Sequence, residues 1–202
     1  MSEKTNYQLI LDRTLKEIAG SGTVPKLLLH SCCAPCSSYC LEYLSEYFDI
    51  TVFYFNPNIE DEEFERRYQE LARLVREMKT VHPVTVVRGE HDPEVYYQAV
   101  AGHEGDPEGG ERCRICFELR LREAARYAGE NGFDYFTTTL SISPLKNAEL
   151  LNVIGREMSE RYGVRYLYSD FKKKNGYLRS IELSKVYSLY RQNYCGCIFS
   201  KK

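Results

Sequence analysis

Two hydrophobic periods alternate along the chain. Tyr7, Leu9, Ile10, Leu15 and Ile18 recur at helical spacing and stop at Gly20 and Gly22, which predicts a first helix over 4–20. Leu27-Leu28-Leu29 is a continuous apolar run and predicts a buried strand over 26–30. The run breaks at His30-Ser31-Cys32-Cys33-Ala34-Pro35-Cys36. Tyr39, Leu41, Tyr43, Leu44, Tyr47 and Phe48 then mark an amphipathic helix over 36–47 that begins near Pro35, where a missing N–H costs nothing. The β-branched and aromatic residues of 50–55 predict a second strand, which Asn56-Pro57-Asn58 ends. Phe64, Tyr68, Leu71, Leu74, Val75 and Met78 stripe a charged helix over 61–79, and a strand over 84–87 and a short helix over 92–100 follow. Residues 101–111 hold four glycines and a proline, too few apolar positions for a core element, and predict a mobile loop. Beyond it come a helix over 117–130, a strand over 135–139, a polar turn over 141–144, a helix over 148–161 and a short strand over 165–168.

A helix followed by repeated β-α units predicts an α/β fold with a doubly wound, mostly parallel sheet of about five strands and right-handed crossovers. At this length one unit over 1–202 is expected, with a core over about 24–169 and a C-terminal extension over about 170–202. No internal repeat or low-complexity linker interrupts it.

Composition narrows the chemistry. A hydrophobic fraction of 43% supports a real core, and a net charge of −2 gives no whole-molecule attraction to nucleic acid, so such contact needs a local basic patch. No apolar run of about 18 residues and no signal-like N-terminus occur, which points to a cytoplasmic protein without membrane contact. The informative residue is cysteine. Eight are present in three groups, 32/33/36/40, 113/116 and 195/197, and in a reducing compartment such groups are metal ligands or redox thiols more often than structural disulfides.

Cys32 and Cys33 lie where the first strand meets a helix N-terminus. Cys113 and Cys116 lie at a loop-to-helix junction before the fourth strand. Strands one and four are neighbours at the switch point of a doubly wound sheet, where a crevice opens, so the two pairs are expected to converge. Four thiolates suit a 4Fe-4S cluster or a zinc ion. The adjacent Cys32-Cys33 and the position at the strand ends favour iron–sulfur. Helix N-termini and Arg112 and Arg114 would offset the negative charge, although a solvated helix start explains these arginines equally. Cys195-Gly196-Cys197 reads as a reducible disulfide or a clamp for a second metal, with Cys36 as a further candidate ligand and Cys40 as a small buried hydrophobe. His30 reads as a packed histidine, and His82, His91 and His103 show no ligand spacing. Charged positions such as Glu62, Glu63, Glu65 and Arg66 read as the solvated face of a helix. The tail interleaves Lys172, Lys173, Lys174 and Arg179 with aromatics, the composition of an RNA contact surface. No Walker-type loop, dinucleotide fingerprint or Ser-His-Asp layout is present.

Seven segments together carry a family resemblance: Leu-His-Ser-Cys-Cys-Ala-Pro-Cys (29–36), Phe-Tyr-Phe-Asn-Pro-Asn-Ile (53–59), Glu-Arg-Arg (65–67), Arg-Cys-x-x-Cys (112–116), Thr-Thr-Thr-Leu-Ser-Ile-Ser-Pro (137–144), Asp-Phe-Lys-Lys-x-x-Gly-Tyr (170–177) and Tyr-Cys-Gly-Cys (194–197). The chain resembles the cobalamin-independent epoxyqueuosine reductases, the QueH family. The resemblance implies an oxidoreductase of queuosine biosynthesis that deoxygenates epoxyqueuosine in tRNA. It implies a 4Fe-4S cluster on Cys32, Cys33, Cys113 and Cys116, and a second iron with Cys195, Cys197 and Cys36 as candidate ligands, Cys195 and Cys197 being alternatively a redox-active pair. It also implies an ATP-pyrophosphatase-type (HUP-like) core in which the cysteine turn replaces the phosphate loop. Electrons would come from a ferredoxin- or flavodoxin-type donor. Tyr39, His30 and Tyr194 are proton-donor candidates by proximity to cysteines. Two other readings fit the cysteines alone: a zinc-stabilised RNA-binding protein, and a thiol–disulfide oxidoreductase working through Cys33 and Cys36.

Overall fold

The computed structural model describes residues 5–201; position 4 of the first expected helix and Lys202 lie outside them. Helix α1 (Tyr7–Ser21) opens on Asn6, whose side chain accepts from the Leu9 amide at 3.2 Å. Strand β1 (Lys26–His30) leads into α2 (Ala34–Leu44), β2 (Asp49–Tyr54), α3 (Asp61–Glu77), β3 (Val84–Arg88) and the short α4 (Pro93–Ala99). The long α5 (Glu111–Glu130) precedes β4 (Tyr135–Thr138), α6 (Ala148–Tyr162), β5 (Arg165–Tyr166) and α7 (Gly176–Val186). The five strands form one all-parallel sheet in the order β3-β2-β1-β4-β5. The expected architecture is therefore present, and β1 and β4 flank the switch point.

Both faces of the sheet are buried, as a parallel sheet requires. Leu27, Leu29, Ile50 and Val52 pack under α1, α2 and α3 through Leu11, Leu15, Leu41, Leu44, Leu71 and Leu74. Leu28, Phe53 and Phe136 point the other way, onto Leu121, Ala124 and Ala128 of α5 and Leu151 and Ile154 of α6. The continuous apolar run of β1 has this as its cause.

Three segments differ from expectation. Helix α5 starts at Glu111, because Gly110 takes the cap position and its carbonyl accepts from the amides of Cys113 (3.0 Å) and Arg114 (3.2 Å). Cys113 and Cys116 thus ride on the helix's opening turns. The expected turn over 141–144 is a 3-10 turn, Thr139–Ile142, capped by the Thr138 hydroxyl on the Leu140 amide at 3.2 Å. The tail is not a bare basic segment either. Phe171 and Leu189 enter the core, and α7 lies on α2.

The α2–α7 contact leaves no room for a side chain at Gly176. A Cβ there would overlap the Phe171 carbonyl oxygen and the Tyr39 ring. Gly176→Ala is expected to cost about 1–3 kcal/mol through overpacking, read as a lower urea midpoint with unchanged slope. A wild-type midpoint would contradict this packing.

Candidate metal centre

The cysteine turn is held from both sides. The Ser31 amide donates to the Phe53 carbonyl at 2.9 Å, and Asn56 Nδ2 donates to the Ser31 carbonyl at 2.9 Å. Chain entry into α2 then turns Cys32, Cys33 and Cys36 toward one another. Their sulfurs lie within 4.8 Å of each other, with Cys32 Sγ and Cys33 Sγ 3.7 Å apart. Hydrogen bonds from Cys33 and Cys36 hold the Cys32 thiol well below its usual range, with Arg120 adding to the effect. The same contacts push Cys33 up to about 12 and Cys36 well above its ordinary value.

A cavity of about 210 Å³ opens beside this trio at the carboxyl ends of β1 and β4. Its walls include Cys32 and Cys36, Cys113 and Cys116 of α5, and Cys195 and Cys197 of the tail. Cys32 thus shares a cavity wall with Cys113 and Cys116, whereas the sulfurs within 4.8 Å of one another are those of Cys32, Cys33 and Cys36. Cys33 sits behind it, 1% exposed, and Cys36 belongs to the tight trio. Cys195 and Cys197 are free thiols rather than a disulfide. Hydrogen bonding to Cys197 lowers the Cys195 thiol to about 5, with help from Lys146, and the same bond raises Cys197. Tyr96, from α4, places its hydroxyl 3.0 Å from Cys197 Sγ. Cys40 faces the opposite core layer, fully buried, as a small hydrophobe.

Five cations line the same cavity: Arg67, Arg112, Arg120, Lys146 and, from the tail, Arg191. Arg120 is 3% exposed and has no carboxylate partner among the described residues. It donates to Asn56 Oδ1 at 2.8 Å and Asn58 Oδ1 at 2.5 Å, and its Nε is unpaired. A guanidinium buried beside thiols in this way fits an anionic thiolate centre. Burial alone would lower the Lys146 ammonium, but the Cys195 thiolate and the Glu108 carboxylate (2.9 Å) outweigh it. Arg112 and Arg114 divide. Arg112 is buried on the cavity wall, whereas Arg114 is exposed between Glu111 and Glu118.

The loop over 101–110, expected to be mobile, is pinned. Arg112 donates to the Glu104 carbonyl at 2.6 Å, and the Arg112 amide and His103 both bind Asp106. The Gly109 amide donates to Cys113 Sγ at 3.2 Å. The RNA-contact candidates are mostly paired: Lys172 with Asp170, Lys174 with Asp12, and Arg179 with Glu42 and Glu182, while Lys173 is exposed. Tyr194 lines the cavity, and Tyr39 stacks on Tyr43 instead. The cavity residues that sequence reading missed are Arg67, Tyr96, Arg120 and Lys146. The nearest sequence signal for Arg120 was the pair Asn56 and Asn58, read only as a turn.

His30 is fully buried beneath the turn. Its Nε2–H donates to the Phe55 carbonyl at 3.0 Å, so Nδ1 accepts from the Thr138 hydroxyl at 2.8 Å. Burial, then the Arg120 charge, lowers its pKa from 6.5 to about 3. Below pH 6.5 the unfolded chain therefore binds a proton that the folded chain refuses. Stability is expected to fall by about 1.4 kcal/mol per pH unit from 6.5 toward 3. Urea midpoints between pH 6.5 and 5 test this. His30→Gln is expected to flatten the slope, and an unchanged slope would contradict the assignment.

The donor set fits a metal: soft thiols, in excess of the four that one tetrahedral ion takes, within a positively charged wall. The family model described as Epoxyqueuosine reductase QueH matches residues 27–202. Epoxyqueuosine reductase QueH of Streptococcus pyogenes serotype M1 is 43% identical over 204 residues, covering 100% of this chain and 80% of its own. That of Staphylococcus aureus (strain Mu50) is 41% identical over 204 residues, covering 98% and 85%. That of Thermotoga maritima is 36% identical over 186 residues, covering 89% and 90%. A crystal structure described as a predicted subunit of tRNA methyltransferase from Methanocaldococcus jannaschii shares the fold, with a TM-score of 0.51 at 11% identity over 80% of this chain and 74% of that one. No helix among the described residues is long and apolar enough to cross a membrane. Motifs, fold and matches over nearly the whole length agree: the chain belongs to the epoxyqueuosine reductase QueH family of oxidoreductases.

Proposed function

We propose that this chain deoxygenates epoxyqueuosine in tRNA to queuosine in the cytoplasm, taking electrons from a ferredoxin- or flavodoxin-type donor. Cys32, Cys33, Cys113 and Cys116 hold a 4Fe-4S cluster, and Cys195, Cys197 and Cys36 hold a second iron. The observation that carries this reading is that six cysteines line one cavity, with the Cys33 sulfur within 4.8 Å of those of Cys32 and Cys36. When bound, the cluster supplies single electrons and the second iron supplies a Lewis acid for the epoxide oxygen.

The chain's own residues do the rest. Arg67, Arg112, Arg120 and Lys146 hold the positive potential that a thiolate-rich centre needs in a buried wall. Tyr96 keeps its proton, since burial and then the Cys197 contact push its pKa up, and its hydroxyl stands 3.0 Å from Cys197 Sγ. Tyr177 and Arg191 stand on the cavity wall where a base and a phosphate would meet the protein. Lys172, Lys173, Lys174 and Arg179 contact the tRNA backbone. The half-exposed pairs of Lys174 and Arg179 are worth under about 1 kcal/mol each, so phosphate competes with their carboxylates.

The test is turnover. Anaerobic enzyme, tRNA carrying epoxyqueuosine and a reduced donor are expected to give queuosine on nucleoside digestion, with loss of one oxygen atom. Unchanged epoxyqueuosine with metal-replete enzyme would contradict the proposal. A zinc reading has one observation in its favour. The 3.7 Å separation of Cys32 and Cys33 sulfurs matches the edge of a tetrahedral zinc site, about 3.8 Å for a ~2.3 Å bond. It requires colourless protein with stoichiometric zinc and no turnover.

A further inference from the structure

The charged helix α3 carries a stripe that sequence reading left to solvent, of which only Arg67 reaches the cavity wall. Glu63, Arg66, Arg67, Glu70 and Arg73 recur at three- and four-residue spacing on one side. All five meet the tail. Arg67 is 1% exposed, and its Nε donates to Glu63 Oε1 at 2.6 Å. Its Nη1 and Nη2 donate to the carbonyls of Cys195 at 3.2 Å and Tyr194 at 3.4 Å. One turn on, Glu70 accepts from the Tyr190 amide at 2.7 Å, and the Arg66 guanidinium lies 3.5 Å from the centre of the Tyr190 ring. Tyr190 also directs its hydroxyl at Glu63. Arg73 donates to the Tyr187 carbonyl at 3.0 Å.

The tail has no other regular means of placement. Between the end of α7 at Val186 and a short 3-10 turn at Ile198–Ser200 it forms no helix or strand. Gly196 takes φ +99°, and a Cβ there would come within 2.7 Å of Ile59 Cγ1 and 2.9 Å of Arg67 Nη1. The backbone between the two cysteines is thus seated directly on the Arg67 guanidinium.

We propose that the α3 stripe, centred on Arg67 and oriented by Glu63, is a positioning clamp that sets Cys195 and Cys197 against the other cysteines. Two adjacent carbonyls need two donors in a fixed plane, which a guanidinium fork supplies and an ammonium does not. Arg67 acts on the thiols through the backbone that carries them. The inference rests on the reductase reading only in its turnover arm, because thiol alkylation reads the clamp whether or not the chain reduces an epoxide.

The experiment compares anaerobic, as-isolated full-length wild type with Arg67→Lys and with the Glu70→Ala, Arg73→Ala double variant, whose sites are partly exposed and lie away from the cavity. Iodoacetamide alkylation is mapped to each cysteine by mass spectrometry. In Arg67→Lys, Cys195 and Cys197 are expected to react about 10-fold faster, the loss of roughly one charge-assisted hydrogen bond, while Cys113 and Cys116 keep their rates and unfolding stays cooperative. The double variant is expected to move in the same direction by less, and it carries the test if Arg67→Lys does not fold. In turnover, kcat is expected to fall with KM for tRNA unchanged. Unchanged rates at Cys195 and Cys197, or an equal rise at Cys113 and Cys116, would overturn the clamp.

Discussion

Cys32→Ser is expected to empty the metal centre and abolish turnover while leaving the fold intact. The change is nearly isosteric, so packing at the turn is preserved. The chemistry is not. Cys32 is the thiol whose pKa its neighbours Cys33 and Cys36 push downward, and it alone of the trio moves that way. A serine hydroxyl is neither charged at neutral pH nor soft enough for iron or zinc in a thiolate site. Cys40→Ser is the matched control. Cys40 lies one helical turn beyond Cys36, with its thiol against the Cys36 carbonyl at 3.4 Å and its surroundings in the opposite core layer. Its metal content is expected to equal wild type, with a stability loss of about 1–3 kcal/mol for burying a hydroxyl. Metal analysis of the two variants separates ligand from packing. Metal lost equally from both would contradict the assignment.

Arg120→Met is expected to lower both metal retention and stability. The substitution strips the buried amide oxygens of Asn56 and Asn58 of a shared donor, and it removes the charge that favours thiolate at Cys32 and Cys116. Leaving two buried amide oxygens without their donor costs on the order of 3 kcal/mol, about 6–12 °C in Tm for a domain of this size. Arg120→Lys keeps the charge and loses the fork, so it is expected to retain more metal than Arg120→Met while failing to restore the full Tm. Wild-type metal content and Tm in Arg120→Met would show that the thiolates need no buried cation.

The sheet was readable because its signals are local. Leu27-Leu28-Leu29 has no polar position because both faces of β1 are covered, and the reversal of strand order follows from counting β-α units. From that reversal, the shared cavity wall of Cys32, Cys113 and Cys116 was legible too. The unread parts depend on distant partners. Helix α7 buries Gly176, Ser180 and Ser184 against α2, and serine hydroxyls bonded back to carbonyls within the helix leave no apolar stripe to detect. The glycine-rich loop over 101–110 is ordered by one buried arginine, Arg112, whose partners are backbone carbonyls that no side-chain pattern announces. Arg67 belongs to a helix with strong charge alternation, and only the tail, 127 and 128 residues away, makes that face an interface.

The most direct test of the account is metal and sulfide analysis of anaerobically purified protein, with its visible spectrum. Brown protein with about four irons and four sulfides per chain is expected for the cluster, and iron beyond that for the second site. Colourless protein with one zinc per chain, and no cluster after anaerobic reconstitution with iron and sulfide, would contradict it.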